Sequence, residues 1–273
     1  MICSSRSADG PLMSMEFKEL LVVIPHSGIV IPGEIPLDSL SDDFAGLVRN
    51  VDWYTNWLYD FRDLIGNRQI VFPYCSLILE GNRHPDILED SVPLKDVRGI
   101  PVYRPGREPE ERLREFMSGK YLRPFHQAIS EEIGRGKQLL LDGHSTVSAR
   151  GMSDNQIDLM NYQITELEGR PRYFCPDKLI EAYAEALQKR LPEVKVTVNT
   201  SEYHTTYGHI CAEHSVNSFK REGNRVPALL QETNEKLYRN DDRTPNIEAL
   251  TRLRRAFAES LAEMRRGAGL SNN

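Results

Sequence analysis

The sequence predicts an α/β fold: one domain with a mixed, mainly parallel sheet flanked by helices. Three observations carry this. Apolar runs of strand length alternate with longer segments of helical period. The 273 residues fit one α/β domain with embellishments. No repeat, low-complexity tract or composition break marks a second domain. Residues 1–15 are expected to be a loose extension, 16–266 the domain and 267–273 a frayed tail.

In chain order, Leu20 to Ile24 is the first strand. Phe44 to Ile65 carries apolar residues at helical spacing and predicts a helix behind it. Gln69 to Phe72 and Ser76 to Leu79 read as short strands bent at Pro73. Asn82 to Pro109, rich in Pro, Gly and charge, predicts a long ordered loop. Glu110 to Met117 and Tyr121 to Ile133 are expected as helices, Lys137 to Leu141 as a buried strand, and Ala149 to Gly169 as loop. Asp177 to Arg190 is an amphipathic helix with Asp177 as its expected N-cap. Val194 to Val198 and Ala228 to Gln231 read as strands, and Asn246 to Arg265 as the closing helix.

Composition excludes several functions. With 40% hydrophobic and 27% charged residues, the chain is globular rather than disordered. A formal net charge of −6, with no Lys/Arg stripe, argues against nucleic acid and anionic lipid as partners. No apolar run approaches the roughly 20 residues that span a bilayer, and the N-terminal stretch lacks a secretory leader's apolar core. Cys3, Cys75, Cys175 and Cys211 are scattered, which predicts free thiols and a cytoplasmic setting. Oligomeric state leaves no trace in the sequence.

In open parallel sheets, ligands bind beyond the carboxyl ends of the strands. Here the expected ends carry Pro25-His26-Ser27-Gly28, Glu80-Gly81-Asn82-Arg83, Asp142-Gly143-His144-Ser145, Asn199 with His204 soon after, and Glu232-Thr233-Asn234. His26 and His144 are candidate Zn²⁺ ligands, because neutral imidazole is a common ligand and catalytic zinc takes three protein ligands. A carboxylate should complete the set, and Asp52 is the best candidate, placed on the predicted helix behind the first strand. A solvated helix aspartate is its alternative. Asp142 is placed to orient an imidazole, with Ser145 beside it. Arg83 with Asn82 forms an anion clamp. Glu232 suits a general base, or else a salt bridge. His126 reads as a core histidine. His204, His209 and His214 lie in one polar segment placed to line a pocket. Ser27 and Ser145 lack the GxSxG elbow of serine hydrolases.

With these residues in view, the sequence resembles the N-formylglutamate amidohydrolase (N-formylglutamate deformylase) family, related to zinc carboxypeptidases and aspartoacylases. The matching pieces, in family order, are VVIPHSG, VDWYTNWLYDF, EGNR, GIPVYRPG, RPFHQAI, LLLDGHS and LLQETNEKLY. The resemblance implies a zinc carboxypeptidase/phosphorylase-hydrolase-like fold and one Zn²⁺ per chain on His26, Asp52 and His144. It places Asn82 and Arg83 on a substrate carboxylate and Glu232 as acid/base. It also implies hydrolysis of a linear amide C–N bond, N-formyl-L-glutamate being the first choice, within amino-acid catabolism and histidine degradation. Two departures stand out. Glu80 replaces the usual Asp, and TSEYHTTYGHI keeps only Gly208 of a Gly-Gly segment. The alternatives are a carboxypeptidase-like or N-acetyl amino acid hydrolase, or a catalytically silent anion-binding relative.

Overall fold

The computed structural model describes residues 16–148, 150–164, 171–205, 208–215 and 226–267, without the side chains of Asn50, His204 and Thr205. The expected loose extension 1–15 and all but Gly267 of the expected tail 267–273 lie outside the described residues. The described strands are β1 (Leu20–Ile24), β2 (Arg68–Val71), β3 (Leu139–Thr146), β4 (Gln156–Met160), β5 (Tyr162–Ile164), β6 (Pro171–Tyr173), β7 (Lys195–Val198) and β8 (Ala228–Asn234). Six form one sheet in the order β2-β1-β3-β8-β4-β7, while β5 and β6 pair as a ribbon. β2, β1, β3 and β8 run parallel. β4 lies antiparallel to β8, and β7 runs parallel to β4.

The two-residue period of a strand divides the core in two. Leu20, Val22 and Ile24 of β1, with Leu139 and Leu141 of β3, face the helices Asp177–Arg190 and Ile247–Gly267. Leu21, Val23 and Leu140 point the other way, towards Phe125, Ile129 and Ile133 of the helix Arg123–Gly134. With both faces covered, β1 and the first half of β3 read as continuous apolar runs. The mixed, mainly parallel sheet flanked by helices is therefore as the sequence predicts. No described helix is long and apolar enough to cross a membrane, and Cys75, Cys175 and Cys211 are buried free thiols.

Several elements differ from expectation. The predicted helix over 44–65 is three short turns, Phe44–Leu47, Thr55–Leu58 and Arg62–Ile65, with a 3-10 turn at Val48–Asn50. Val51 is extended and Tyr54 takes a left-handed φ of 65°, so Asp52 sits in a bend rather than on a helix. Ser76 to Leu79 forms consecutive turns, with Ile78 and Leu79 N–H both donated to the Cys75 carbonyl. Three successive apolar residues, Leu77 to Leu79, cannot by themselves distinguish a strand from such a turn.

The expected loop from 149 holds β4, whose Gln156 and Asp158 are polar yet fully buried. Asp158 accepts hydrogen bonds from Thr197, Thr200 and Ser201, which offset its burial. Because β4 is antiparallel to β8, β7 runs away from the rim reached by β3 and β8. Its carboxyl end therefore does not contribute to that rim as expected. The chain reverses at Asn199, with a φ of 55°. Asp177 is the first residue of its helix rather than the cap and accepts a hydrogen bond from the Asn161 amide. The last helix reaches Gly267, one residue into the expected tail.

Candidate metal centre and active site

β1, β3 and β8 deliver polar groups to one edge of the sheet. His26 follows β1, Asp142 and His144 lie on β3 itself, and Glu232 lies on β8 directly across from His144. Two buried contacts fix this geometry. A Cβ on Gly28 would lie 2.3 Å from the Pro73 backbone, so only glycine lets the loop after His26 approach so closely. The Tyr59 hydroxyl lies 2.8 Å from the His144 carbonyl, 3.2 Å from that of Gln231 and 2.9 Å from Thr233 Oγ1, tying β3 to β8.

The Nδ1 atoms of His26 and His144 are 3.1 Å apart, and Asp52 Oδ2 lies 3.6 and 3.5 Å from them. A tetrahedral ion with bonds of about 2.0–2.1 Å sets its ligand atoms about 3.3 Å apart. The three donors fit that spacing, and among the described residues only this group brings three such atoms within 4.8 Å of one another. Asp52 is held in place by accepting the Ser145 N–H at 3.1 Å and by donating its own N–H to the His26 carbonyl at 3.3 Å. Ser145 thus acts through its backbone.

Each imidazole turns its other nitrogen outward to a carboxylate. His144 Nε2 lies 2.9 Å from Asp142 Oδ1, and His26 Nε2 is hydrogen-bonded to Glu80. A carboxylate behind each imidazole fixes its ring orientation and tautomer, as at metal-binding histidines. Without an ion, the centre concentrates negative charge around the two imidazoles. Burial would lower the proton affinity of His26, but Glu80 and Asp52 outweigh it and raise its pKa to about 9. His144 is likewise raised against burial, mainly by Asp142. Against the same burial, His26 holds Glu80 at about 2, and His144 and His26 hold Asp52 well below the carboxylate range. Imidazoles whose proton affinity is raised in this way would give up protons to a divalent cation, so metal binding here would be linked to pH.

Glu232 is different. Burial raises its pKa to about 8, and its Oε2 is a buried oxygen with no hydrogen-bond partner. It lines a cavity of about 620 Å³ together with His26, Asp52, Glu80, Asn82, Arg83 and His144. Asn82 is buried and largely committed within the protein. Its amide nitrogen lies 3.1 Å from Asp142 and 3.2 Å from His144, and its Oδ1 accepts the Ile210 N–H. Its carbonyl accepts from Arg83 at 3.0 Å. The backbone of His204 belongs to the 3-10 turn Glu202–Thr205, but its side chain lies outside the described residues. His209 and His214 line a different cavity.

The sequence reading placed Glu80 near the rim without giving it His26 as partner, and it missed Tyr59 altogether. It also missed Tyr203, which is hydrogen-bonded to Thr146 in the cavity wall, and Arg150, stacked 5.1 Å over the Tyr203 ring. A charged residue beside His26 at the rim was a usable signal for Glu80; Tyr59 offered none, since its apolar neighbours read as core.

Comparison with known proteins agrees with this architecture. The family model for N-formylglutamate amidohydrolase matches residues 18–239. An N-formylglutamate deformylase from Pseudomonas aeruginosa is 28% identical over 148 residues, 46% of this chain and 51% of that protein. The match thus spans about half the length of this curated relative. The crystal structure of N-formylglutamate amidohydrolase from Ralstonia eutropha JMP134 superposes with a TM-score of 0.68 at 20% identity, covering 92% of this chain and 96% of that one. A gene product from Agrobacterium tumefaciens superposes at 0.66 and 16% identity, covering 94% of each chain. At these identities the two structures speak for the fold alone.

Proposed function

Because this chain belongs to the N-formylglutamate amidohydrolase family, we propose that it hydrolyses the amide of an N-acyl amino acid, N-formyl-L-glutamate before others. One observation carries the chemical reading: two imidazoles and a carboxylate meet at metal-ligand spacing beside a buried glutamate with an unpartnered oxygen.

In this reading His26, Asp52 and His144 hold one zinc ion, with Asp142 and Glu80 orienting the two imidazoles. Zinc, when bound, supplies a Lewis acid for activating water and the acyl carbonyl. Glu232 accepts a proton from the attacking water and passes it to the amide nitrogen as the C–N bond breaks. The hydroxyl of that water ends on formate and the proton on the amine of glutamate. A carboxyl whose proton affinity is raised by burial suits both halves of this relay.

Arg83 takes the substrate carboxylate, since a guanidinium can hold it through two parallel hydrogen bonds. Asn82 anchors the Arg83 side chain through its carbonyl and Asp142, the partner of His144, through its amide nitrogen, and His204 adds a further substrate contact. Holding the carboxylate fixes the amide over the centre and converts binding into orientation. The same reading places the protein in the cytoplasm, acting on a small molecule rather than nucleic acid or membrane, in amino-acid catabolism of the histidine-degrading kind.

Metal analysis paired with a formate-release assay on N-formyl amino acids tests this. Expected are about one zinc ion at the centre and loss of activity with a chelator. Hydrolysis indifferent to the chelator, in a protein holding no stoichiometric metal, would overturn the reading. Formyl, acetyl and peptidyl substrates with a common amino-acid part separate this reaction from those of related hydrolases.

A further inference from the structure

Four of the seven histidines lie apart from the hydrolytic centre. His84, His126, His209 and His214 line a second cavity of about 240 Å³ that shares no lining residue with the first. The ring centres of His84 and His209 are 4.8 Å apart, and those of His126 and His209 are 4.9 Å apart. The His26 and His144 rings are also 4.8 Å apart. Two imidazoles sharing one tetrahedral ion, each nitrogen at about 2.0–2.1 Å, set their ring centres roughly 5 Å apart.

Burial sharpens the case. His126 is 8% exposed and His214 6%. Both ring nitrogens of His126 and Nε2 of His214 are buried without a hydrogen-bond partner of normal length and angle, although the Arg83 backbone lies close enough to His126 to raise its proton affinity. Buried polar atoms are nearly always satisfied, and an exception points to a missing ligand. Burial also lowers the pKa of His126 to about 4, of His209 to about 2 and of His214 to about 3. At neutral pH these rings are therefore uncharged, the form that binds metal. Glu213 brings a carboxylate to the same cavity.

We propose that this cavity is a second transition-metal site, taking a late first-row divalent cation such as Zn²⁺, Cu²⁺ or Ni²⁺ on His84, His126 and His209, with His214 at its edge. Imidazole suits these ions. Their nitrogens do not converge within 4.8 Å as the rings now stand, so capture includes rotation of at least one ring within the cavity. The site is joined to the first. The His209 N–H donates to the Asn82 carbonyl at 3.0 Å, and the Asn82 amide contacts Asp142 and His144.

The test separates the two centres. The variant His26→Ala/His144→Ala disables the first, and Zn²⁺ uptake is measured by equilibrium dialysis with elemental analysis, with Cu²⁺ resonance spectra reporting nitrogen ligation. Wild type should bind about two ions and this variant about one, with nitrogen coupling in the Cu²⁺ spectrum. Adding His84→Gln, at a partly buried loop residue, with circular dichroism to check the fold, should weaken the remaining site at least ~10-fold. Adding His126→Gln, with circular dichroism to check the fold, should abolish it. Zero ions in His26→Ala/His144→Ala, or affinity unmoved by His84→Gln and His126→Gln, overturns the second site. If wild type binds one ion, retained in His26→Ala/His144→Ala and lost in His126→Gln, the second site stands and the first fails.

Discussion

Gly143 lies against the Tyr59 ring with no room for a side chain: a Cβ there would fall 2.8 Å from Tyr59 Cδ2 and 3.0 Å from Ile24 Cδ1. The constraint is steric, since Gly143 is an ordinary residue of β3. Gly143→Ala should cost about 1–3 kcal/mol, the range for overpacking a filled core, read as a lower urea midpoint. Because His144 follows on the same strand, zinc affinity should fall with it. An alanine variant as stable as wild type would show that Tyr59 yields easily.

The outward carboxylates should tune metal affinity without themselves binding metal. Glu80→Gln and Asp142→Asn are each expected to weaken zinc binding by about 10–100-fold, the usual scale for such partners, as measured by competition with a chromogenic chelator. Unchanged affinity in both would mean that the imidazoles are oriented by packing alone.

Glu232→Gln and Arg83→Ala should fail differently. The glutamine keeps the shape of Glu232 but cannot relay a proton, so kcat should drop by about 10²–10⁴ with zinc content intact. Loss of the Arg83 guanidinium should act mainly through a raised KM for carboxylate-bearing substrates, because it removes binding shared by ground and transition states. Steady-state kinetics on N-formyl-L-glutamate distinguishes the two patterns.

Stability of the chelator-treated protein should depend on pH in a definite sense. His26 titrates near 9 when folded and near 6.5 when unfolded, so its contribution is complete below about 6.5 and lost as pH rises to 9. Glu232, raised to about 8 from 4.5, also binds its proton more tightly in the folded state, so stability falls as pH climbs between those values. Glu80 works in reverse: lowered to about 2, its contribution is present above 4.5 and lost as pH falls towards 2. Metal-free protein should therefore be most stable in mildly acidic solution, and less stable at pH 9 than at pH 6 in thermal melts. A rise over that interval would contradict the charge arrangement of the centre.

Elements whose polarity follows their burial were legible in the sequence. β1 and the first half of β3 are continuous apolar runs, and the helices Asp177–Arg190 and Ile247–Gly267 show the 3.6-residue period. β4 was not legible, because its buried polar residues are satisfied by partners about 40 positions away. Thr197, Thr200 and Ser201 make Asp158 tolerable, and no local pattern reveals them. Missing β4 also reversed the direction assigned to β7. At the site, His26, His144 and Glu232 could be found because each lies at or near the end of a strand. Asp52 was chosen from a helix that the structure breaks into turns, and that break is what lets its carboxylate reach the histidines. The four-histidine cavity was hidden because His84, His126, His209 and His214 come from segments 42 to 130 residues apart or from different faces of one short helix.

His144 and Glu232 face each other across neighbouring parallel strands. Their separation is therefore a lattice constant of the sheet, indifferent to the surface segments that wall the cavity. Swapping the stretch between Asn82 and Pro109, part of which lines the cavity, for one of another length should reshape the cavity while His144 and Glu232 keep their spacing. The sheet holds this pair independently of the loops around it, and loop grafting can exploit that division.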